Sequence, residues 1–145
     1  MRKHLFLMTA LIIGIIAALT VQIYSGKPNY PVVRALLPGG VTLTFVGNPW
    51  NDANRCAKEN QTVTDTLRQQ CPKCRIEFSG CHEQLNSSWE KSFLGEPSDQ
   101  FTVHTDTQKI VIESDPKTSR EVCIGMASQI EQLGKLHARC VEPAL

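Results

Sequence analysis

No cysteine precedes residue 56, and no charge interrupts the apolar run Leu5–Val21. All six cysteines, Cys56, Cys71, Cys74, Cys81, Cys123 and Cys140, lie beyond that run, and Arg2 and Lys3 stand directly before it. An excess of charge is also missing. Setting aside Arg2 and Lys3 leaves thirteen basic residues against fourteen acids, a net charge of −1. Such a balance excludes long-range attraction to nucleic acid or to anionic lipid, and no basic stripe or low-complexity tract offsets it. Gly-x-Ser-x-Gly, His-Glu-x-x-His, Walker and dinucleotide-binding patterns are absent, which removes the commonest sequence-readable catalytic sets. No cysteine follows the run closely enough for lipidation.

What is present first is an address. A bilayer core of about 30 Å needs about 20 helical residues, and Leu5–Ile23 supplies them. A cleavable signal would have a shorter core and small residues at its end, but Val21-Gln22-Ile23-Tyr24 is bulky there. Residues 1–24 therefore read as an uncleaved anchor in the lipid bilayer, with a cleaved signal and a secreted domain as the alternative. Arg2 and Lys3 stay cytoplasmic, which sends the C-terminal part across. A bacterial inner-membrane protein with a periplasmic domain is the expectation. Residues 25–40, with Pro28, Pro31, Pro38, Gly26, Gly39 and Gly40, read as a linker ending in a turn. Residues 41–145 remain for one exported domain.

Within that domain two stretches follow one plan. Val41–Val46 alternates as a strand and Asn48-Pro49 follows; Lys109–Glu113 is strand-like and Asp115-Pro116 follows. An Asx cap before proline starts a helix, because its side chain accepts a free N–H and the ring already holds helical φ. The stripes Ala53, Cys56, Asn60, Val63, Leu67, Cys71 and Val122, Met126, Ile130, Leu133, Leu136/His137, Cys140 keep helical spacing. Cys56 and Cys123 stand equally far from their caps, so a pseudo-repeat is one reading and coincidence the other. Arg75–Ser79 reads as a strand, Cys81–Lys91 as a short helix, Phe93–Ser98 as a loop, and Phe101–His104 as a hairpin partner of Lys109–Glu113. The order β-α-β-(α)-β-β-α implies an α+β fold. After the membrane helix comes a small disulfide-stapled two-layer sandwich, close to the ferredoxin-like arrangement but without a clear final strand.

An even cysteine count in an exported domain implies three bridges. Cys56 and Cys71 would be about 22 Å apart on one helix, beyond the reach of a disulfide, and Cys123 and Cys140 are excluded likewise unless Gly134 breaks theirs. Antiparallel neighbouring helices would then pair Cys56 with Cys140 and Cys71 with Cys123, leaving Cys74 to Cys81 against the strand at Arg75. Cys71-Pro72-Lys73-Cys74 is similar to the active sequence of thiol–disulfide oxidoreductases. There, however, the motif opens a helix, and here it closes one, which raises the thiol pKa. A zinc site from Cys71, Cys74, Cys81, His82 and Cys56 lacks a second C-x-x-C, so neither metal nor cofactor is expected.

His4 precedes the anchor, His82 and His104 are single, and His137 suits a helix C-terminus. Glu77 with Glu83, or Asp99 with Asp106, are weak acid–base candidates. Trp50 reads as a helix-start staple and Trp89 as a cap on Phe93 and Leu94. Asn60 and Asn86 match the N-glycosylation pattern, with Asn60 on a buried stripe. The leading reading is a non-enzymatic binding or assembly module for an envelope protein or glycan; the alternative is a tethered exchange factor using Cys71 and Cys74.

Overall fold

Pro31-Val32-Val33-Arg34-Ala35-Leu36 is an extended apolar run, and in the computed structural model, which describes residues 26–96, 98–134 and 136–144, it is a strand. Strand β1 (Tyr30–Leu36) buries Val32, Val33 and Ala35 almost completely. This corrects the reading of 25–40 as a linker. Pro31 is tolerated because it stands at the strand's beginning, and the expected turn forms at Pro38-Gly39-Gly40. The anchor expected at Leu5–Ile23 lies outside the described residues. Among the described residues no helix is long and apolar enough to cross a membrane.

The chain continues through β2 (Thr42–Gly47), α1 (Ala53–Gln70), β3 (Arg75–His82), α2 (Ser87–Leu94), β4 (Phe101–Thr105), β5 (Gln108–Glu113), α3 (Pro116–Gln132) and β6 (Ala138–Val141). The six strands form one antiparallel sheet in the order β3-β1-β2-β5-β4-β6. This is the expected α+β class with a sheet larger than the sequence suggested. It divides into two halves of one plan: β1-β2-α1-β3 and β4-β5-α3-β6, each a hairpin, a helix and a strand returning beside the hairpin's first strand. They meet where β2 pairs β5 from Thr42↔Glu113 to Gly47↔Gln108. The fold is thus doubled, although Asx-Pro starts a helix only in the second half, at Asp115-Pro116.

Asp115 caps α3 as expected, accepting from the Thr118 N–H at 3.0 Å, with Pro116 in the first turn. Helix α1 starts later than expected. Asp52 caps it, accepting from Asn54 N–H at 2.8 Å, because Trp50 is committed to an extended bridge with Asn29. Helix α3 ends at Gln132, where Gly134 takes φ 69° and turns the chain back. That turn creates β6, the final strand the helical stripe had concealed.

Side-chain alternation assigns the helices to faces. Phe101, Val103, Ile110, Ile112 and Leu43 pack with Cys123 and Ala127 of α3. Ser79 of β3 meets Thr64 of α1 at 3.1 Å, placing α1 on the same face. Small residues form both contact lines, Cys56, Asn60 and Thr64 in α1 and Ser119, Cys123 and Ala127 in α3. They let the helix axes approach the sheet, while Val122, Met126 and Ile130 fill the flanks. Leu133, placed on the stripe by the sequence, is 75% exposed. The intervening residues Val32, Val46, Val111, Thr44 and Thr102 point to the opposite face, where α2 lies: Thr102 Oγ1 reaches Ser92 Oγ at 3.3 Å, and Tyr30 meets Phe93 edge to face. The domain therefore has a thin third layer beyond the expected two.

Gly47, closing β2, is needed for space. A Cβ there would fall 2.6 Å from Cγ of Pro31 and onto the Glu59 carboxylate, which is held by Trp50 Nε1. Gly47→Ala is expected to destabilise by about 1–3 kcal/mol, read as a lower midpoint in thermal melting.

Candidate functional site

The chemistry-bearing residues begin with the cysteines. Cys56 pairs with Cys81, Cys71 with Cys74 and Cys123 with Cys140, at Cα separations of 6.2, 5.3 and 5.4 Å. Among the described residues no cysteine is free. The pairings differ from those expected, Cys56–Cys140, Cys71–Cys123 and Cys74–Cys81, for two reasons. Each long helix lies over its own half of the sheet, α1 on β1 and β3 and α3 on β4 and β6, so its cysteine meets that half's last strand. And β3 is extended from Arg75 to His82, which holds Cys74 too far from Cys81.

Cys71 and Cys74 sit in the turn after α1. Cys71 caps the helix, its N–H donating to the Leu67 carbonyl at 2.8 Å, and Cys74 N–H donates to the Cys71 carbonyl at 2.9 Å. Both are half-buried, and Pro72 and Lys73 between them are exposed. A thiolate here would face the negative end of α1.

The second feature is a cavity of about 340 Å³ beside α2, walled by Pro28, Tyr30, Leu85 and Phe93 with Glu83 and Glu90 at its edge. Asn86 builds it. Its side chain caps α2 by accepting from Trp89 N–H at 2.8 Å, which sets Trp89 and Phe93 one turn apart on the helix. Phe93 rests on Tyr30 with ring centroids 5.4 Å apart, and Trp89 meets His82, which also leans on Phe78. Trp89 thus forms a satellite cluster with His82. Leu94 remains 61% exposed and Phe78 40%. Glu83 is paired with Lys27 at 2.9 Å on the surface.

The proposed carboxylate pairs are not brought together. Glu77 pairs with Arg34 at 3.4 Å and Arg75 at 3.0 Å, Asp99 accepts from Ser88 Oγ, and Asp106 accepts from the His137 N–H at 3.2 Å. His137 lies past the helix it was expected to end. Trp50 stands before α1, with Arg55 over its ring and its Nε1 donating to the Glu59 carboxylate. Asn60 is 4% exposed, with Nδ2 3.5 Å from Cys81 Sγ, and Asn86 is occupied as a cap; burial of Asn60 closes it to a glycosyl donor. Among the described residues no group of three or more His, Cys, Asp or Glu side chains is placed to hold a metal ion. Tyr30 and Phe93 were missed as a pair because the first fell in the supposed linker.

No protein-family model, no curated protein and no solved structure matches this chain.

Proposed function

We propose that the chain is a single-pass membrane protein whose exported domain is a binding or assembly module for an envelope component, a partner protein or a glycan. The observation that carries this reading is the state of the cysteines: each half of the fold is closed by its own helix-to-strand bridge, an arrangement that persists in an oxidising compartment. The cavity beside α2 supports binding. It combines aromatic faces with carboxylates, the composition that suits a sugar ring or a partner's basic side chain.

The export half of the reading is tested by fusing alkaline phosphatase to the C-terminal end of the full chain. Activity is expected; activity only from a cytosolic reporter at that position overturns it. The binding half is tested by placing a photoreactive residue at position 94. A specific adduct with an envelope protein or glycan is expected, and no adduct above that at exposed Ile124 defeats it.

A second reading, thiol–disulfide exchange at Cys71 and Cys74, is favoured by one observation. That bridge lies in a turn with exposed Pro72 and Lys73, whereas Cys56 and Cys123 are wholly buried. Incubation with reduced glutathione separates the two. The binding-module reading expects all three bridges to persist; rapid, selective appearance of thiols at Cys71 and Cys74 favours exchange.

A further inference from the structure

Strand register places three basic side chains in one row. Lys109 of β5 stands opposite His104 of β4, and His104 stands opposite Arg139 of β6. Directly opposite residues share a face with Cβ atoms about 5 Å apart, so Lys109 and Arg139 flank the His104 ring from its two sides and oppose its protonation. The row lies on the α2 face, because Val103 and Cys140, the neighbours of His104 and Arg139, point toward α3.

Beside the row is a cavity of about 410 Å³, lined by His104, Asp106, Lys109, Glu131, His137 and Arg139. The cations in it are poorly satisfied. Among the described residues, Lys109 Nζ donates only to the Thr105 carbonyl, at 3.2 Å, and Arg139 takes part in no ion pair. Among the described residues neither has a carboxylate within ion-pair distance, although two line the same cavity. Asp106 is turned to the His137 N–H. His104 is 7% exposed, with Gly95 at the end of α2 beside its ring, and its ring nitrogens make no hydrogen bond among the described residues.

We propose that this cavity binds a single oxyanion, the carboxylate or phosphate group of a larger ligand, between Lys109 Nζ and the Arg139 guanidinium with the His104 ring as a further donor. The guanidinium fork matches either group in a bidentate manner, and the ammonium supplies a point charge. An anion there would give the two flanking cations a shared counter-charge. Glu131 and Asp106 at the cavity wall disfavour a polyanion and leave room for one charged group. Burial, then Lys109, then Arg139 push His104 down to about 4, and Lys109 is lowered by burial and by Arg139 against an opposing pull from Asp106. Burial leads both shifts, and the neighbouring cations add to it.

The site is independent of the α2 cavity and of export, so its test stands apart from theirs. Full-length protein in neutral detergent micelles, with ¹⁵N-histidine, is titrated with inorganic phosphate and with acetate against chloride at constant ionic strength. A saturable shift of the His104 ring resonances is expected with at least one of the two; phosphate alone or acetate alone identifies the group. Arg139→Gln and Lys109→Gln should each weaken the response by about tenfold, the loss of one charge-assisted hydrogen bond. Both variants should melt no lower than the parent, since each removes a like charge from the row. Glu131→Gln should tighten binding. No saturable shift with either anion, or an unchanged response in the Lys109→Gln, Arg139→Gln double variant, overturns the proposal.

Discussion

Replacing Cys123 and Cys140 together by alanine is expected to lower the stability of the domain by about 3 kcal/mol. The bridge closes a long loop, spanning a sequence separation of 17, and its Cys123 end has no exposed surface within the core formed by Val103, Ile110 and Ala127. It also fastens β6, a four-residue edge strand, to α3. So short an edge has few ladder hydrogen bonds of its own, and without the bridge it should fray before the rest of the sheet. The Cys56–Cys81 bridge, with a separation of 25, should cost about as much when removed. Removing Cys71 and Cys74 should cost less, about 2 kcal/mol or below, because a separation of 3 leaves little chain entropy to constrain. Urea unfolding of the three double variants gives the comparison directly. A Cys71–Cys74 loss larger than the Cys123–Cys140 loss would contradict this division between clamps and turn.

The second large effect is a loss of stability in acid carried by His104. Its folded pKa is about 4 against an ordinary 6.5, so between those values the unfolded chain binds a proton that the folded domain refuses. The contribution is complete above pH 6.5 and is lost as pH falls toward 4, by roughly 2–3 kcal/mol in all. Lys109 from β5 and Arg139 from β6 oppose the imidazolium, Asp106 from the turn and Glu131 from α3 favour it, and His137 lines the same cavity. His104→Gln keeps a polar group of similar length and removes the titration. Its unfolding free energy should therefore change much less between pH 6.5 and 4 than that of the parent. Equal slopes for the two proteins would show that the imidazole is not held neutral by its surroundings.

Local signals carried much of the fold. Asp115-Pro116 marks the start of α3, the alternation of Val41–Val46 and Lys109–Glu113 marks the two central strands, and Phe101–His104 is legible as the hairpin partner of Lys109–Glu113. The errors arose where a local signal served another purpose. Prolines around Tyr30 resembled a linker, yet Val32, Val33 and Ala35 complete the sheet. The apolar period of α3 ran on through Gly134 in the sequence, and a single positive φ ended the helix and formed β6. Bridge pairing failed because it assumed that the two long helices touch, whereas each is bound to its own half. The Lys109–His104–Arg139 row was the least legible of all. Its members are far apart in the chain, and only the register of β4 against both neighbours makes them adjacent. Periodicity reads faces, but it does not read which strands are partners.

The claim on which the rest depends is that each half of the domain is oxidised and closed upon itself. Cells expressing the full chain are treated with a thiol-blocking reagent before lysis, and the protein is then digested without reductant for peptide mass spectrometry. The expected result is three linked peptide pairs, Cys56 with Cys81, Cys71 with Cys74 and Cys123 with Cys140, and no blocked cysteine. Blocked thiols at Cys56 or Cys123, or a link between halves such as Cys56 with Cys140, would contradict it.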